Sequence, residues 1–274
     1  MRLSAVILSF NSQRFLARSV EALVAALGQQ PEGDEIFVVE NGSSDGSVEL
    51  LRELEARHAG LVKGIYCPRN TGTTVSRNLA LARAAGRYLL VLDSDVTAIP
   101  PETLPHLMAV LDNHPKVGIV VPRLVYGSGR EQLSTDRFPT IGHKLRRFFR
   151  LKAMEARLSP AEATRPREVD YAISAFWLMR SEAFRQVGPL DERIFYSPED
   201  VDYCLRVWQA GFSVRYEPAV YAVHDAQEIS RGFKMAGFTL RHAKGLAYLF
   251  CKHGYAFGLG RLYRRLGREQ GTPT

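Results

Sequence analysis

Short, uninterrupted runs of apolar residues alternate along the first 122 residues with segments whose apolar positions recur three or four residues apart. The apolar runs lie at residues 3–10, 35–40, 61–67, 88–92 and 117–121, and the spaced segments lie at 15–27, 48–58, 70–84 and 100–113. Continuous runs are typical of strands covered on both faces, and the wider spacing is typical of amphipathic helices. The pattern predicts an α/β fold with a Rossmann-like, mostly parallel central sheet and helices on both faces.

The pattern after residue 122 is less regular. Residues 126–166 are polar and basic, and we interpret them as a solvated loop or surface helix; a segment over a binding site, or a patch for anionic lipid or phosphate, is the alternative. Further strands are predicted at 171–179, 212–216 and 219–223, and helices at 180–188 and 198–211. Residues 232–268 mix aromatic and basic side chains, which predicts one or two basic amphipathic helices.

Two carboxylates directly follow the fourth apolar run, in Asp93-Ser94-Asp95. Ligands of open parallel sheets bind outside the carboxyl ends of the strands, and residues two apart in an extended segment point to the same side. Two such carboxylates suit a hard divalent cation, Mg²⁺ or Mn²⁺, with phosphate oxygens in its shell. A surface turn with two solvated acids is the alternative.

A second acidic stretch, Ser197-Pro198-Glu199-Asp200, precedes the helix predicted at 198–211. Acids in a first helical turn are favoured by the helix dipole, so a structural explanation also exists. His224 lies at the end of the last predicted strand, where it would complete a metal shell only if the fold brings it to Asp95.

Composition narrows the class of protein. Of the 274 residues, 46% are apolar or aromatic and 24% are charged, which is ordinary for a globular protein. The chain lacks an apolar run near the ~20 residues that a membrane helix needs, and its first residues lead into a strand, so we expect no signal peptide. The three cysteines are too few and too far apart for a disulfide framework or a zinc site, which favours a reducing, cytoplasmic location.

The net charge of +7 is unevenly distributed. Residues 137–167 carry +7 and residues 231–274 carry +8, so the rest of the chain is acidic. Nucleic-acid binders usually show a basic face with recognisable motifs, so we expect no nucleic-acid partner. The first predicted strand ends in Ser9-Phe10-Asn11. Neither a Walker loop nor a Gly-x-Gly-x-x-Gly motif follows it, which disfavours a P-loop NTPase or a dinucleotide-dependent dehydrogenase.

Taken together, these stretches resemble the inverting family-2 glycosyltransferases of the GT-A fold. The resemblance covers residues 1–230 and is carried by the segments 5–11, 38–47, 70–78, 86–95, 188–191 and 199–202 and by His224. Within the family, the chain is most similar to the rhamnosyltransferase-type branch that builds bacterial surface polysaccharides. The resemblance implies a catalytic domain at 1–230, with a nucleotide-sugar half at 1–122 and an acceptor half at 123–230, followed by the tail at 231–274.

The resemblance also implies roles for individual residues. Asp95 corresponds to the direct metal ligand, with Asp93 and His224 completing the site, and Asp200, paired with Glu199, corresponds to the general base. The donor nucleotide-sugar would be held by Ser9, Phe10, Asn11, Glu40, Asn41, Arg69, Asn70, Arg77, Asp93 and Ser94. The chain departs from the family at Glu40, where Asp is usual, which leaves the preferred nucleotide open.

The implied activity is metal-dependent transfer of a sugar from a dTDP-, UDP- or GDP-linked donor to a hydroxyl of a glycan, a lipid-linked glycan or another acceptor. The cofactor would be Mn²⁺ or Mg²⁺. Two alternatives are a catalytically silent nucleotide-sugar-binding scaffold and a sugar-1-phosphate nucleotidyltransferase, although the latter usually carries a Gly-rich basic loop after the first strand. For the basic tail, peripheral contact with the inner face of the plasma membrane and a homodimer contact are both expected alternatives.

Overall fold

The computed structural model describes residues 3–28, 33–142, 165–225 and 236–268. Most of the basic segment predicted at 126–166, including the cluster at 144–150, lies outside the described residues. The described helices are α1 Gln13–Leu27, α2 Ser47–Arg57, α3 Thr73–Leu81, α4 Thr103–Asn113, α5 Ser181–Val187, α6 Glu199–Gln209, α7 Ala236–His253 and α8 Gly260–Arg265. The described strands are β1 Leu3–Ser9, β2 Glu35–Glu40, β3 Val62–Tyr66, β4 Tyr88–Asp93, β5 Val96–Ala98, β6 Val117–Val125, β7 Thr135–Asp136, β8 Arg167–Val169, β9 Tyr171–Ala172, β10 Phe176–Arg180 and β11 Ser213–His224.

One large sheet organises the described chain, in the order β3-β2-β1-β4-β10-β6-β11-β5, with β8 paired to β11. The predicted parallel arrangement is confirmed for β3, β2, β1 and β4. The sheet is mixed beyond that point, because β10 runs antiparallel to both β4 and β6. β10 follows β6 along the chain after the short strands β7, β8 and β9, and it enters the sheet in the direction opposite to both of its neighbours.

Alternation along the strands creates a core on each face of the sheet. Ala5 and Ile7 of β1 belong to the core that includes the apolar sides of α1, α2 and α4. Val6 belongs to the opposite core, which includes residues of α3, α6, α7 and α8. Because β1 and β4 are covered on both faces, their carboxyl ends are held rigidly where polar loops begin.

The tail, predicted to form one or two helices, forms α7 and α8, and both pack against the second core. Leu249 and Leu262 are fully buried there. Lys252 and His253 of α7 contact the buried Asp202 of α6 at 2.7 and 2.8 Å. The apolar side that a free amphipathic helix would present to a membrane is therefore used inside the protein, although the boundary at residue 231 stays a prediction.

None of the helices in the described ranges combines the length and the apolar composition needed to cross a membrane. The three cysteines are free thiols; Cys67 and Cys204 are buried and Cys251 is exposed.

Candidate active site

The metal ligands predicted from sequence meet at one edge of the sheet. Asp93 ends β4, and Asp95 sits between β4 and the short strand β5. Strand β11 pairs antiparallel with β5 so that His224 lies opposite Val96. This pairing carries His224 across 129 residues of sequence to Asp95, and its Nε2 lies 3.1 Å from Asp95 Oδ1.

Asp93, Asp95 and His224 each offer one ligand atom, and these atoms lie within 4.8 Å of one another. Two carboxylate oxygens and one imidazole nitrogen fit a divalent cation of the Mg²⁺ or Mn²⁺ class, with room for phosphate oxygens as further ligands. The predicted triad therefore has the geometry of a set of metal ligands, and the identity of the cation stays a proposal.

His224 is oriented by a residue that sequence analysis did not identify. Its Nδ1 lies 2.8 Å from Gln132 Oε1, in the segment after β6. Because Gln132 Oε1 is an acceptor, Nδ1 carries a hydrogen, and loss of the Nε2 proton would free the Nε2 lone pair for a metal. Burial lowers the pKa of His224, but the hydrogen bond and charge of Asp95 outweigh burial and hold that pKa above its ordinary value.

Replacing Gln132 with Leu should weaken divalent-cation binding by about 10–100-fold, the usual effect of removing a hydrogen-bond partner behind a metal-bound histidine. Isothermal titration of Mn²⁺ measures the affinity directly. Glu131→Gln, at the half-buried neighbour whose carboxylate pairs with Arg123 at 3.0 Å, is the matched control and should leave Mn²⁺ affinity unchanged. Equal affinities for Gln132→Leu and the unaltered protein would contradict the positioning role.

The second pair of acids begins α6. Glu199 is buried, and its Oε1 accepts a hydrogen bond from Ser174 Oγ at 2.9 Å. Burial, followed by the charge of Asp200, raises the pKa of Glu199 to about 8, despite the opposing effect of Arg77. Asp200 is only half-buried, and its Oδ1 accepts the Val201 N–H at 2.8 Å. The two neighbouring carboxyls therefore occupy different environments.

Arg77 joins the two acidic groups. Its side chain on α3 is 1% exposed, with Nη2 2.5 Å from Asp93 Oδ1 and Nη1 3.4 Å from Glu199 Oε1. Nη1 also donates to Ser174 Oγ at 2.7 Å. The sequence-based prediction placed Arg77 among the donor-binding residues. The structure shows its guanidinium inside the protein, between the two carboxyl groups, and its contact with a donor stays a prediction.

The remaining predicted donor-binding residues line the loops at the ends of β1, β2 and β3. Asn41 is buried and links two of these loops, because its Oδ1 accepts the Thr71 N–H at 2.9 Å and its Nδ2 donates to Asn70 Oδ1 at 3.1 Å. Gly42 lies so close to the third loop that a Cβ would fall 2.4 Å from the backbone of Arg69. These contacts build a continuous rim, with Arg69 exposed on it.

The first two loops are tied together in the same way. Asn11 has a positive φ of 50°, and its Oδ1 accepts the Ser44 N–H at 2.8 Å. Glu40 is buried, and its two carboxylate oxygens accept the N–H groups of Gly42 and Ser43 at 3.1 and 2.8 Å. The long side chain of Glu40 thus closes its own turn; its contact with a nucleotide stays a prediction, as do those of the buried Ser9, the exposed Phe10 and the half-buried Ser94.

The loop before the second acids is attached to α3. The Thr73 N–H donates to Phe195 O at 2.7 Å, and Thr74 Oγ1 donates to Ile194 O at 2.8 Å. Helix α7 packs on the other side of this loop, since a Cβ on Gly245 would lie 2.4 Å from Ser197 O. The start of α6 is therefore held between α3 and the tail.

Comparison with known proteins places this arrangement in a family. The sequence model of the family described as "Glycosyl transferase family 2" matches residues 4–188. A pre-mycofactocin glycosyltransferase of Mycobacterium tuberculosis is 30% identical over 270 residues, which cover 90% of this chain and 52% of the relative. The rhamnosyltransferase WbbL of Escherichia coli is 24% identical over 240 residues, which cover 84% of this chain and 87% of WbbL. The chain thus spans about half the length of the mycobacterial relative.

Solved glycosyltransferase structures share the fold. The mannosyltransferase PcManGT from Pyrobaculum calidifontis, in complex with GDP-Man and Mn²⁺, matches with a TM-score of 0.62 at 18% identity, over 92% of this chain and 63% of that one. TarS 1-349 of S. aureus, in complex with UDP-GlcNAc, matches with a TM-score of 0.56 at 20% identity, over 85% of this chain and 62% of that one. Since the family model covers more than half of the residues, the chain belongs to glycosyl transferase family 2 and has the GT-A fold.

Proposed function

We propose that this chain is a metal-dependent, inverting glycosyltransferase that moves a sugar from a nucleoside-diphosphate donor to an acceptor hydroxyl. The single observation that carries the proposal is the Arg77 bridge, which holds Asp93 of the metal triad and Glu199 of the acid pair on one guanidinium. A transferase needs one acidic group beside the departing diphosphate and another beside the acceptor. Because both contact one guanidinium, the two groups lie close together here.

The acid pair supplies the proton acceptor in this proposal. Asp200 takes the proton of the acceptor hydroxyl as the oxygen attacks the anomeric carbon, and the nucleoside diphosphate departs from the opposite face. A divalent cation bound by Asp93, Asp95 and His224 would stabilise the charge that develops on the diphosphate. One displacement of this kind inverts the anomeric centre.

The names and titles of the similar proteins support a nucleotide-sugar donor without fixing its nucleotide or its sugar. WbbL is named a rhamnosyltransferase, PcManGT was solved with GDP-Man, and TarS was solved with UDP-GlcNAc. We propose a dTDP-rhamnose or UDP-hexose donor and a role in bacterial surface polysaccharide or glycoconjugate synthesis. The acceptor would be a hydroxyl of a glycan or of a lipid-linked glycan.

The test is a thermal-shift panel of UDP-, dTDP- and GDP-sugars with and without Mn²⁺. A ligand that binds only the native state raises the melting temperature by mass action, because it adds RT ln(1 + [L]/Kd) to the free energy of unfolding. We expect one nucleotide class to raise the melting temperature only with Mn²⁺, and Asp95→Ala to abolish that rise. Asp136→Ala, on β7, is the matched control and should keep it.

The thermal-shift panel and assays of turnover together separate the candidate functions. A metal-dependent shift with release of nucleoside diphosphate supports the transferase. A shift without any turnover, even after candidate glycans are supplied, would favour a silent nucleotide-sugar-binding scaffold. Formation of a nucleotide-sugar from a sugar 1-phosphate and a nucleoside triphosphate would instead identify a nucleotidyltransferase.

A further inference from the structure

The turn between α7 and α8, residues 254–259, presents an apolar side chain to solvent. Phe257 is 86% exposed, whereas the other exposed large hydrophobic residues of the described chain are 37–50% exposed. The turn is well anchored on both sides, since Tyr255 and Leu262 are buried in the second core. An anchored turn that leaves a phenylalanine in water has no explanation in the packing of the domain itself.

A second apolar side chain lies beside this turn. Ile141 is 39% exposed, and its backbone N–H donates to Ala256 O at 3.0 Å. The hydrogen bond brings a residue from the segment after β7 to the residue directly before Phe257. Two exposed apolar residues from distant parts of the sequence are thus brought close together, and we call this pair the protrusion.

The surroundings of the protrusion are cationic. The sequence contains no Asp or Glu between residues 229 and 268. Arg261 and Arg264 on α8 are exposed, within seven residues of Phe257. The cations of the tail that face the domain are neutralised instead, because Lys252 pairs with Asp191 at 2.6 Å and Arg268 pairs with Asp170. The positive charge left at the surface therefore lies next to the exposed apolar residues.

An aromatic tip flanked by arginines has the chemistry of a contact with an anionic lipid surface, in which the ring enters the headgroup layer and the cations face the lipid phosphates. The protrusion is too small for a stable dimer, which buries about 800 Å² on each partner. We propose that the turn at 254–259, together with Ile141, docks this protein on an anionic bilayer. The contact is made by the tip of the tail, because the apolar sides of α7 and α8 are already used in the second core.

Fluorescence of a Phe257→Trp variant tests the insertion. The native tryptophans lie inside the domain, Trp177 being buried and Trp208 half-buried with its Nε1 donating to Asp170 O, so the new indole is the one that reports on the turn. We expect a blue shift with vesicles of phosphatidylcholine and phosphatidylglycerol, and none with phosphatidylcholine alone. Tyr66→Trp is the matched control, since Tyr66 is 42% exposed on the edge strand β3, and it should show no shift.

Co-sedimentation with the same vesicles measures the affinity. We expect Phe257→Asp to weaken binding by about tenfold or more, given the apolar area of the ring, and Arg261→Gln/Arg264→Gln to weaken it by about fivefold per arginine. Tyr66→Asp should bind like the unaltered protein. Equal binding by Phe257→Asp, or no binding by the unaltered protein, would overturn the proposal, and so would self-association that Phe257→Asp abolishes, since it would make the turn a dimer contact.

This inference does not rest on the proposed enzymatic activity. The vesicle assays contain neither a sugar donor nor a divalent cation. Failure to bind vesicles would leave the thermal-shift result untouched, and failure of the donor panel would leave the lipid contact untouched.

Discussion

Replacing Asp200 with Asn is expected to slow sugar transfer by about 10²–10⁴-fold, the contribution that a general base usually makes. Asn keeps the shape of the side chain and its hydrogen bond to the Val201 N–H but cannot accept a proton from the acceptor. The half-buried position of Asp200 leaves it accessible to an incoming hydroxyl. Release of nucleoside diphosphate measures the rate, and donor binding measured by thermal shift should be unchanged.

Glu199→Gln is the matched control for this prediction. Because burial raises the pKa of Glu199 to about 8, its carboxyl is protonated at neutral pH, and Gln resembles that protonated form. We expect transfer to survive in Glu199→Gln and to fail in Asp200→Asn. The reverse result would move the base to Glu199.

The free energy of unfolding of Glu199→Gln should depend on pH differently from that of the unaltered protein. Glu199 holds its proton more tightly in the native protein than in the unfolded chain, where its pKa is near 4.5. The contribution of this group to the free energy of unfolding therefore falls as the pH rises from about 4.5 to about 8. Glu199→Gln lacks that fall, so its stability relative to the unaltered protein should increase over this range in urea unfolding.

Replacing Arg77 with Met is expected to reduce the free energy of unfolding by about 1–3 kcal/mol, the usual cost of leaving hydrogen-bonding groups without their buried donor. The substitution leaves the carboxylate of Asp93 without its cation and the carboxyl of Glu199 without one of its donors. Urea unfolding measures the loss. Arg87→Met is the matched control, because Arg87 forms an exposed ion pair with Asp112, and exposed pairs contribute at most about 1 kcal/mol.

A double variant checks that the loss arises from the carboxylate left without its cation. Adding Asp93→Asn to Arg77→Met removes that carboxylate, so the double variant should be more stable than Arg77→Met alone. Arg77→Lys should rescue only part of the loss, since an ammonium lacks the planar fork that reaches two carboxyl groups at once. If the effects of Arg77→Met and Asp93→Asn simply add, the two residues are not coupled.

Much of the first half of the fold was predictable because its strands are covered on both faces. Continuous apolar runs gave β2 its observed bounds, Glu35–Glu40, and placed β1, β3 and β4 to within one or two residues. The position of Asp93 and Asp95 at the end of β4 followed from the same runs. The nearness of His224 to Asp95 was conditional on topology, and the pairing of β11 with β5 supplied it.

The contacts that the sequence did not predict depend on long-range packing. Ser174 is a single polar residue within the apolar run at 171–179, and Gln132 lies in a segment without a regular apolar period, so nothing in their spacing marks them as partners of Glu199 and His224. The antiparallel entry of β10 also left no local trace, because a strand's apolar pattern does not encode its direction. Arg77 was noticed through the family resemblance, but its buried bridge requires α3 and α6 to be placed together.

Gly245 has a consequence for protein engineering. Because α7 touches the backbone of Ser197 at this glycine, a tail exchanged between relatives brings a new surface against the loop that carries the acids. Even Gly245→Ala would push on that loop, at Ser197, which lies two residues before Glu199. A chimaera that joins another tail to this domain therefore alters the site of the acids as well. Placing the junction after Lys252 and His253, which pair with Asp202, avoids that change.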